Sequence, residues 1–253
     1  MKFTIITPSY NQAKFLQQTI DSVVSQAGDF EIEYFILDGG STDGSVNIIR
    51  QYTSTPKIKI IWQSKPDGGQ TAALNYGLSQ ATGDIIAYIN SDDYYLPSTF
   101  SQVLKYFNSH PKALWLAGNC VVTDPKLKWT FWLKHIWPIQ YFKNCLYVFN
   151  TINQPSVFLK KELVDQVGLF DQSLHYAFDY DYWLRCLQIQ LPSRIFHNFS
   201  VFRIHPDSKG NTSYHHQFDE DWAVINRYQP SKLLHTTHSL AIILVTAIYK
   251  LLK

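Results

Sequence analysis

Asp84-Ile85-Ile86-Ala87-Tyr88-Ile89-Asn90-Ser91-Asp92-Asp93 runs from an apolar stretch straight into two adjacent carboxylates. Residues 84–90 read as a strand buried on both faces, because a short continuous apolar run suits that environment. Asp92 and Asp93 at its end make a poor structural device, since neighbouring like charges repel. They become favourable when a divalent cation sits between them and an equally anionic group such as a diphosphate. The plain alternative is an acidic turn before a helix, because Leu96-Pro97-Ser98-Thr99 has the form of a helix start with proline in the first turn.

Toward the N-terminus the pattern of strand followed by helix repeats. Residues 3–7 form a short strand that Pro8 is expected to end. The loop Ser9-Tyr10-Asn11 leads into a helix with Phe15, Leu16, Ile20, Val23 and Val24 on one face, closed by Gly28. Residues 33–38 form a second strand ending in Asp38, followed at once by Gly39-Gly40-Ser41-Thr42-Asp43-Gly44. Ser41, Thr42 and Asp43 are all able to cap a helix reaching to 50. Residues 57–62 are a third strand, Pro66-Asp67-Gly68-Gly69 a turn, and 70–80 a helix with Ala73, Leu74, Gly77 and Leu78 inward. This alternation implies a parallel sheet with right-handed crossovers. Thr7-Pro8, Asp38 and Asp92-Asp93 then lie at the carboxyl ends of parallel strands, where open α/β sheets bind ligands. No Gly-x-x-x-x-Gly-Lys-Ser/Thr occurs, which excludes a P-loop. No Gly-x-Gly-x-x-Gly follows the first strand, which weakens a dinucleotide-binding reading.

The 253 residues allow one large domain or two small ones, and 45% hydrophobic with 17% charged residues is ordinary for a chain with a sizeable core. A net charge of +2 argues against a nucleic-acid partner. The 16 Tyr, 16 Phe and 7 Trp form a surplus that suits sugar stacking, a membrane surface or an aromatic core. Cys120, Cys145 and Cys186 have neither zinc spacing nor a disulfide framework, which fits a reducing compartment. The apolar run after Met1 is too short for a signal peptide.

Ile6-Thr-Pro-Ser-Tyr-Asn11, Asp38-Gly-Gly-Ser-Thr-Asp-Gly44, Ala81-Thr-Gly-Asp84 and Asn90-Ser-Asp-Asp93 together resemble the nucleotide-sugar domain of the inverting family-two glycosyltransferases of GT-A fold. The resemblance covers residues 1–210. It implies a Rossmann-like α/β domain with a mixed, mostly parallel sheet and helices on both faces. The nucleotide-sugar half would span 1–110 and the acceptor half 111–210. It also implies that the aspartate matching Asp38 binds the nucleobase, usually uracil. The pair matching Asp92-Asp93 would hold ribose and a Mn²⁺ or Mg²⁺ on the diphosphate. The family's metal motif is often Asp-x-Asp; here Ser91 stands in the first slot, leaving the adjacent-pair variant. The expected nucleotide-sugar contacts are Thr7, Pro8, Tyr10, Asp38, Asp67 and Asp92, and the expected metal ligands are Asp93 and His205.

In the second half, 113–118, 153–159 and 193–204 read as strands and 160–167 as a helix. Gly168-Leu-Phe-Asp171-Gln-Ser-Leu174 resembles the family's Gly-x-Phe-Asp-x-x-Leu loop and leads to Ala177-Phe-Asp-Tyr-Asp-Tyr-Trp-Leu-Arg185. The family usually has Glu-Asp where this chain has Phe178-Asp179, and the aspartate of that pair is the catalytic base. The resemblance therefore implies Asp179 as base, with Asp181 the rival. Asp181 alternatively reads as a helix-start charge, favourable near the dipole's positive end. A base is needed because a sugar hydroxyl is a weak nucleophile until its proton is taken. His205 matches the family's His-x-x-Ser segment, followed here by Ser208 and Lys209. His215 and His216 read as surface residues.

Trp129, Trp132, Leu133, Ile136 and Trp137 would share one helix face within the basic, aromatic segment 126–143. That segment reads either as an interfacial element on an anionic bilayer or as a lid or core helix. Residues 211–230 read as a polar link to an apolar C-terminal helix at 239–253, which lies on a membrane interface or docks on the domain. It is too short to span a bilayer. The expected activity is divalent-metal-assisted, inverting transfer of a hexose from a nucleotide sugar, a UDP-sugar, to a saccharide or lipid-linked acceptor. The expected location is the cytoplasm at the inner face of the cell membrane, with peripheral contact through 126–143 and 239–253. The alternative is a catalytically silent nucleotide-sugar-binding partner in a glycan assembly complex. A nucleotidyltransferase would want a Gly-rich, basic loop after the first strand, and Pro8-Ser-Tyr-Asn11 is not one.

Overall fold

The computed structural model describes residues 1–124, 129–133, 145–206, 214–228 and 231–252, and of 124, 129–133, 214–215 and 244–252 the backbone alone. β1 (Lys2–Ser9), β2 (Glu31–Asp38) and β3 (Ile58–Ser64) are linked by α1 (Ala13–Val24) and α2 (Ser45–Ile49), and α3 (Gln70–Gln80) leads to β4 (Ile85–Tyr88). All four strands are parallel, in the order β3-β2-β1-β4. The winding therefore reverses between β1 and β4, and in open α/β sheets the place beyond the carboxyl ends of two such strands is where ligands bind. Alternate strand residues serve opposite layers. Phe3, Ile5, Tyr34 and Ile36 pack with Leu16, Ile20 and Val23 of α1, while Ile6, Phe35 and Leu37 pack with Ala73, Leu74 and Leu78 of α3. This double coverage explains why the strands read as unbroken apolar runs. α3 lies so close to β1 that a Cβ at Gly77 would come within 2.8 Å of the Ile6 side chain.

Pro8 does not end β1, which continues to Ser9. The Ile6 carbonyl faces β4, where it accepts from Ile89 N, while the Ser9 carbonyl faces β2 and accepts from Gly39 N. By alternation Pro8 faces the β4 side, where the ladder has stopped at Tyr88. Its missing N–H therefore costs no sheet hydrogen bond.

The second half extends the same sheet in mixed directions. β5 (Tyr94–Tyr95) and α4 (Thr99–Ser109) come first, then β6 (Trp115–Asp124), β7 (Trp129–Leu133), α5 (Cys145–Val148), β8 (Val157–Lys160), α6 (Lys161–Val167), α7 (Phe178–Ile189) and β9 (Ser193–Arg203). β8 runs antiparallel to β4 and β6, β9 parallel to β6, and β5 antiparallel to β9. A 3₁₀ turn at Gln154–Ser156 takes the place of the start of the strand expected at 153–159.

Three expectations fail here. Residues 129–133 are not helical: as β7 they pair antiparallel with Cys120–Asp124 of β6, and Trp-Thr-Phe-Trp-Leu has the aromatic and β-branched character of a strand. The rest of 126–143 lies outside the described residues, as do Ser208 and Lys209. The span 211–230 is not simply a polar link, because it contains α8 (Tyr214–Tyr228), whose Val224 and Ile225 are fully buried in the core. The C-terminal helix α9 (Lys232–Leu252) starts earlier than expected. His238 fastens it to α5 by donating from Nδ1 to the Val148 carbonyl at 2.9 Å. Leu233, Leu240 and Ile243 remain exposed on α9. Among the described residues no helix is long and apolar enough to cross a membrane.

Candidate active site

Ser9, Asp38 and Ser64 stand abreast at the carboxyl ends of β1, β2 and β3. The Asp38 carboxylate is buried and organises the loop that follows it. It accepts from Gly40 N (3.1 Å), Ser41 N (2.9 Å), Ser41 Oγ (2.5 Å) and Ser64 Oγ (2.6 Å). The loop after β1 is zipped to it. Asn11 N donates to Ser41 Oγ at 2.7 Å, Thr42 N to Asn11 Oδ1 at 2.9 Å, and Ala13 N to Asp43 Oδ2 at 2.8 Å. Asp43 thus caps α1 from a neighbouring loop, where Gln12 provides no side-chain cap. Burial works against its charge, but hydrogen bonds from Ser45 and Ala13 hold its carboxyl below the ordinary range.

Tyr10, 63% exposed, and Asp67 both adjoin Gly39. A Cβ there would touch the Tyr10 ring and Asp67 Oδ1, each at 3.4 Å. Thr7 and Pro8 are buried, and the Thr7 hydroxyl is bonded to the Tyr34 phenol at 3.0 Å. What Thr7 presents to the crevice is therefore backbone.

Beyond β4, Asp92 and Asp93 part company. Asp92 is partly exposed, and its Oδ2 lies 3.0 Å from His205 Nε2. Asp93 is fully buried; its Oδ1 accepts from Arg203 N at 2.9 Å. Burial first, and then the Asp92 charge, push its carboxyl well above the ordinary range. Adjacent residues in a turn point different ways, and here one points into the protein. Of the two expected metal ligands, His205 lies against Asp92, while Asp93 is turned into the protein on the Arg203 N–H. Arg203 secures the turn by donating to the Asp92 carbonyl and to Gln18 Oε1, with its guanidinium over the rings of Tyr94 and Phe15. Among the described residues no group of three or more His, Cys, Asp or Glu is gathered at metal-binding spacing. One carboxylate and one imidazole nevertheless suit a hard cation that takes its remaining oxygens from water and a diphosphate.

Across the crevice, Asp179 sits in the first turn of α7, partly accessible, with Oδ1 accepting from Tyr180 N at 2.7 Å. Burial pushes its pKa up to about 6. The phenol of Tyr88, at the end of β4, feels the charges of both Asp179 and Asp93, which ties α7 to the same mouth as the acidic turn. The Phe178 and Tyr88 rings lie 6.4 Å apart. Asp181 points elsewhere: it is buried, pairs with Arg185 at 2.9 Å and lies 3.7 Å from Arg227. It is a structural charge, whereas Asp179 is partly accessible and takes part in no ion pair among the described residues.

Sequence reasoning missed several residues. Gln70 Nε2 donates to Asn90 Oδ1 at 2.7 Å, and Gln154 Nε2 to the Tyr88 carbonyl at 2.8 Å, so amides brace the strand end. Glu220 of α8 accepts the backbone N–H groups of His175, Tyr176 and Ala177. No local pattern announces Glu220; the signal was Phe178, where the family's pair has a glutamate.

Comparison with known proteins gives the family and the fold. The family model described as glycosyl transferase family 2 matches residues 4–164, more than half of the chain. The chain belongs to glycosyl transferase family 2. One relative, an uncharacterized glycosyltransferase of Rickettsia typhi, is 28% identical over 221 residues, 83% of this chain and 66% of its own length. Poly(ribitol-phosphate) beta-N-acetylglucosaminyltransferase TarS of Staphylococcus aureus is 30% identical over 113 residues, 44% of this chain but only 19% of TarS. The chain thus spans less than two thirds of these relatives. Residues 1–349 of S. aureus TarS with UDP-GlcNAc superpose at a TM-score of 0.70 and 18% identity, covering 96% of this chain and 70% of that one. The mannosyltransferase PcManGT of Pyrobaculum calidifontis, solved with GDP-Man and Mn²⁺, gives 0.59 at 18% identity, covering 97% and 75%. The expected GT-A architecture is the one observed.

Proposed function

We propose that this chain transfers a sugar from a nucleotide sugar, a UDP-sugar, to a hydroxyl of a saccharide or lipid-linked acceptor, with inversion at the anomeric carbon. The observation that carries the reading is Asp179, a partly open carboxylate tuned to about 6 beside Tyr88, across the mouth from the Asp92–His205 pair. A general base works best with a pKa near the working pH. Asp179 Oδ1 is occupied by Tyr180 N–H, so Oδ2 takes the acceptor proton. The acceptor oxygen forms its bond to the anomeric carbon as the bond to the diphosphate breaks, and the nucleoside diphosphate leaves with the electron pair. The nucleoside lies against the loop ordered by Asp38, with Tyr10 and Asp67 beside Gly39. A divalent ion, Mn²⁺ or Mg²⁺, held by Asp92 and His205 would offset charge on the departing diphosphate. TarS with UDP-GlcNAc and PcManGT with Mn²⁺, both alike in fold, support the donor class and the ion. Work at the inner face of the membrane is supported by the apolar exposed residues of α9.

A thermal-shift panel of nucleotide sugars with and without Mn²⁺ tests donor and ion together, since a ligand that binds only the folded state raises Tm by mass action. A UDP-sugar should stabilise the chain, more so with Mn²⁺, and His205→Ala should abolish the Mn²⁺ increment. No response to any nucleotide sugar defeats the proposal.

A further inference from the structure

We infer that Glu220 is a positioning residue for the proposed base: its carboxylate, carried by α8, clamps the start of α7 and aims Asp179. The inference rests on the reading of Asp179 as base and extends it to a helix outside the matched family region. Glu220 Oε2 accepts from His175 N at 3.0 Å, Tyr176 N at 2.7 Å and Ala177 N at 2.9 Å, and Oε1 accepts from His175 N at 3.0 Å. A helix start leaves its first N–H groups without partners and carries partial positive charge, so a carboxylate there is stabilising. Ala177, the residue at the cap, has no side chain able to serve. The glutamate expected at 178 is a phenylalanine that packs against Phe170 and Tyr88 instead.

A second set of contacts sets the register of α8 on α7. Arg227 binds Asp171 at 2.6 Å, and the Tyr228 hydroxyl lies 3.3 Å from Asp181 Oδ1. α8 therefore grips the loop before α7 through Glu220 and Arg227, and the first turn of α7, which carries Asp179, through Tyr228. Among the described residues, Tyr88 from β4 and Asp221 from α8 feel the charge of Asp179, Glu220 acts on Asp221 beside it, and His216 of α8 stacks near Tyr176 at 6.2 Å. Burial first, then Asp179 and Glu220, push the Asp221 carboxyl well above the ordinary range. Loosening the clamp would let more water reach Asp179 and return its pKa toward an ordinary carboxyl.

The test compares Glu220→Ala, Glu220→Gln and Asp179→Asn in the full chain. The readouts are kcat and donor KM across pH for transfer or donor hydrolysis, and amide hydrogen exchange at 175–180. Glu220→Ala should lower kcat at least tenfold with donor KM within twofold, move the acidic limb of the pH profile below pH 6, and speed exchange at 175–177. Glu220→Gln, which keeps one acceptor oxygen, should fall between. Wild-type kcat and acidic limb in Glu220→Ala, with Asp179→Asn inactive, overturn the clamp and leave the base standing. Equal losses in kcat and donor affinity with an unmoved limb also overturn it. An active Asp179→Asn instead overturns the base itself. If Glu220→Ala does not fold, Glu220→Gln decides by the same limb and kcat.

Discussion

Asp38, at the end of β2, and Asp179, in the first turn of α7, have surroundings that differ in kind. Asp38 is held by its own loop: three of its four hydrogen bonds come from residues two or three positions ahead, and the fourth from the strand abreast of it. The turn that carries Asp179 is held by Glu220, 43 positions beyond Ala177. The donor side is thus a motif in the strict sense, because residues close in sequence satisfy one another. The base side is an assembly of distant pieces. Asp38 is saturated and rigid, while Asp179 is under-bonded and displaced in pKa, and displaced groups are where chemistry is expected.

Breaking the base should have the largest effect. Asp179→Asn is expected to cut transfer about 10³-fold, within the usual range for a lost general base, with UDP affinity measured calorimetrically unchanged. Wild-type activity should rise through about pH 6 as the carboxylate forms.

Breaking the donor loop comes next. Asp38→Ala leaves Gly40 N and Ser41 N without their acceptor and should cost roughly 3 kcal/mol in chemical denaturation. It should abolish stabilisation by UDP as well, which would show that loop order and donor binding are one property.

A smaller effect has the opposite sign. The Asp179 pKa is raised from an ordinary 3.8 to about 6, so the native state binds this proton more tightly than the unfolded chain does. The penalty is absent below the ordinary value, grows between the two values and is complete above the upper one. Discounted for the partial exposure of Asp179, the full shift of about 3 kcal/mol becomes an expected stabilisation by Asp179→Asn of about 2 kcal/mol at pH 7.5, read as a Tm rise of a few degrees, and almost none at pH 3. Asp38→Asn should instead destabilise the fold, because an amide offers one acceptor oxygen where the carboxylate uses two. The smallest change, Gly77→Ala, probes the scaffold under both sides. Crowding Ile6 should cost about 1–2 kcal/mol with the pH profile of activity unchanged.

How far each part could be read follows from the same contrast. β1 to β4 are buried on both faces and separated by loops with strong turn chemistry, so periodicity and punctuation suffice for that half. The residues of β7 read as helix in sequence because a short run of aromatics fits either period until a partner strand is known, and that partner is β6. The residues of α8 read as a link because their composition is polar, while burial of Val224 and Ile225 depends on α7 being beneath them. Asp92 and Asp93 were distinguishable as a pair but not as individuals: which carboxylate faces the crevice depends on the turn after Asn90 and on Arg203 arriving from β9.

Family, parallel half-sheet, crevice and the identity of the acidic residues were carried by local patterns, because strand burial and loop capping are short-range in sequence. The pairing of His205 with Asp92, the inward turn of Asp93 and the clamp of Glu220 on α7 needed the folded chain. Each is a contact between segments dozens of residues apart or more, and burial and hydrogen-bond geometry at such range are set by packing rather than by the order of residues.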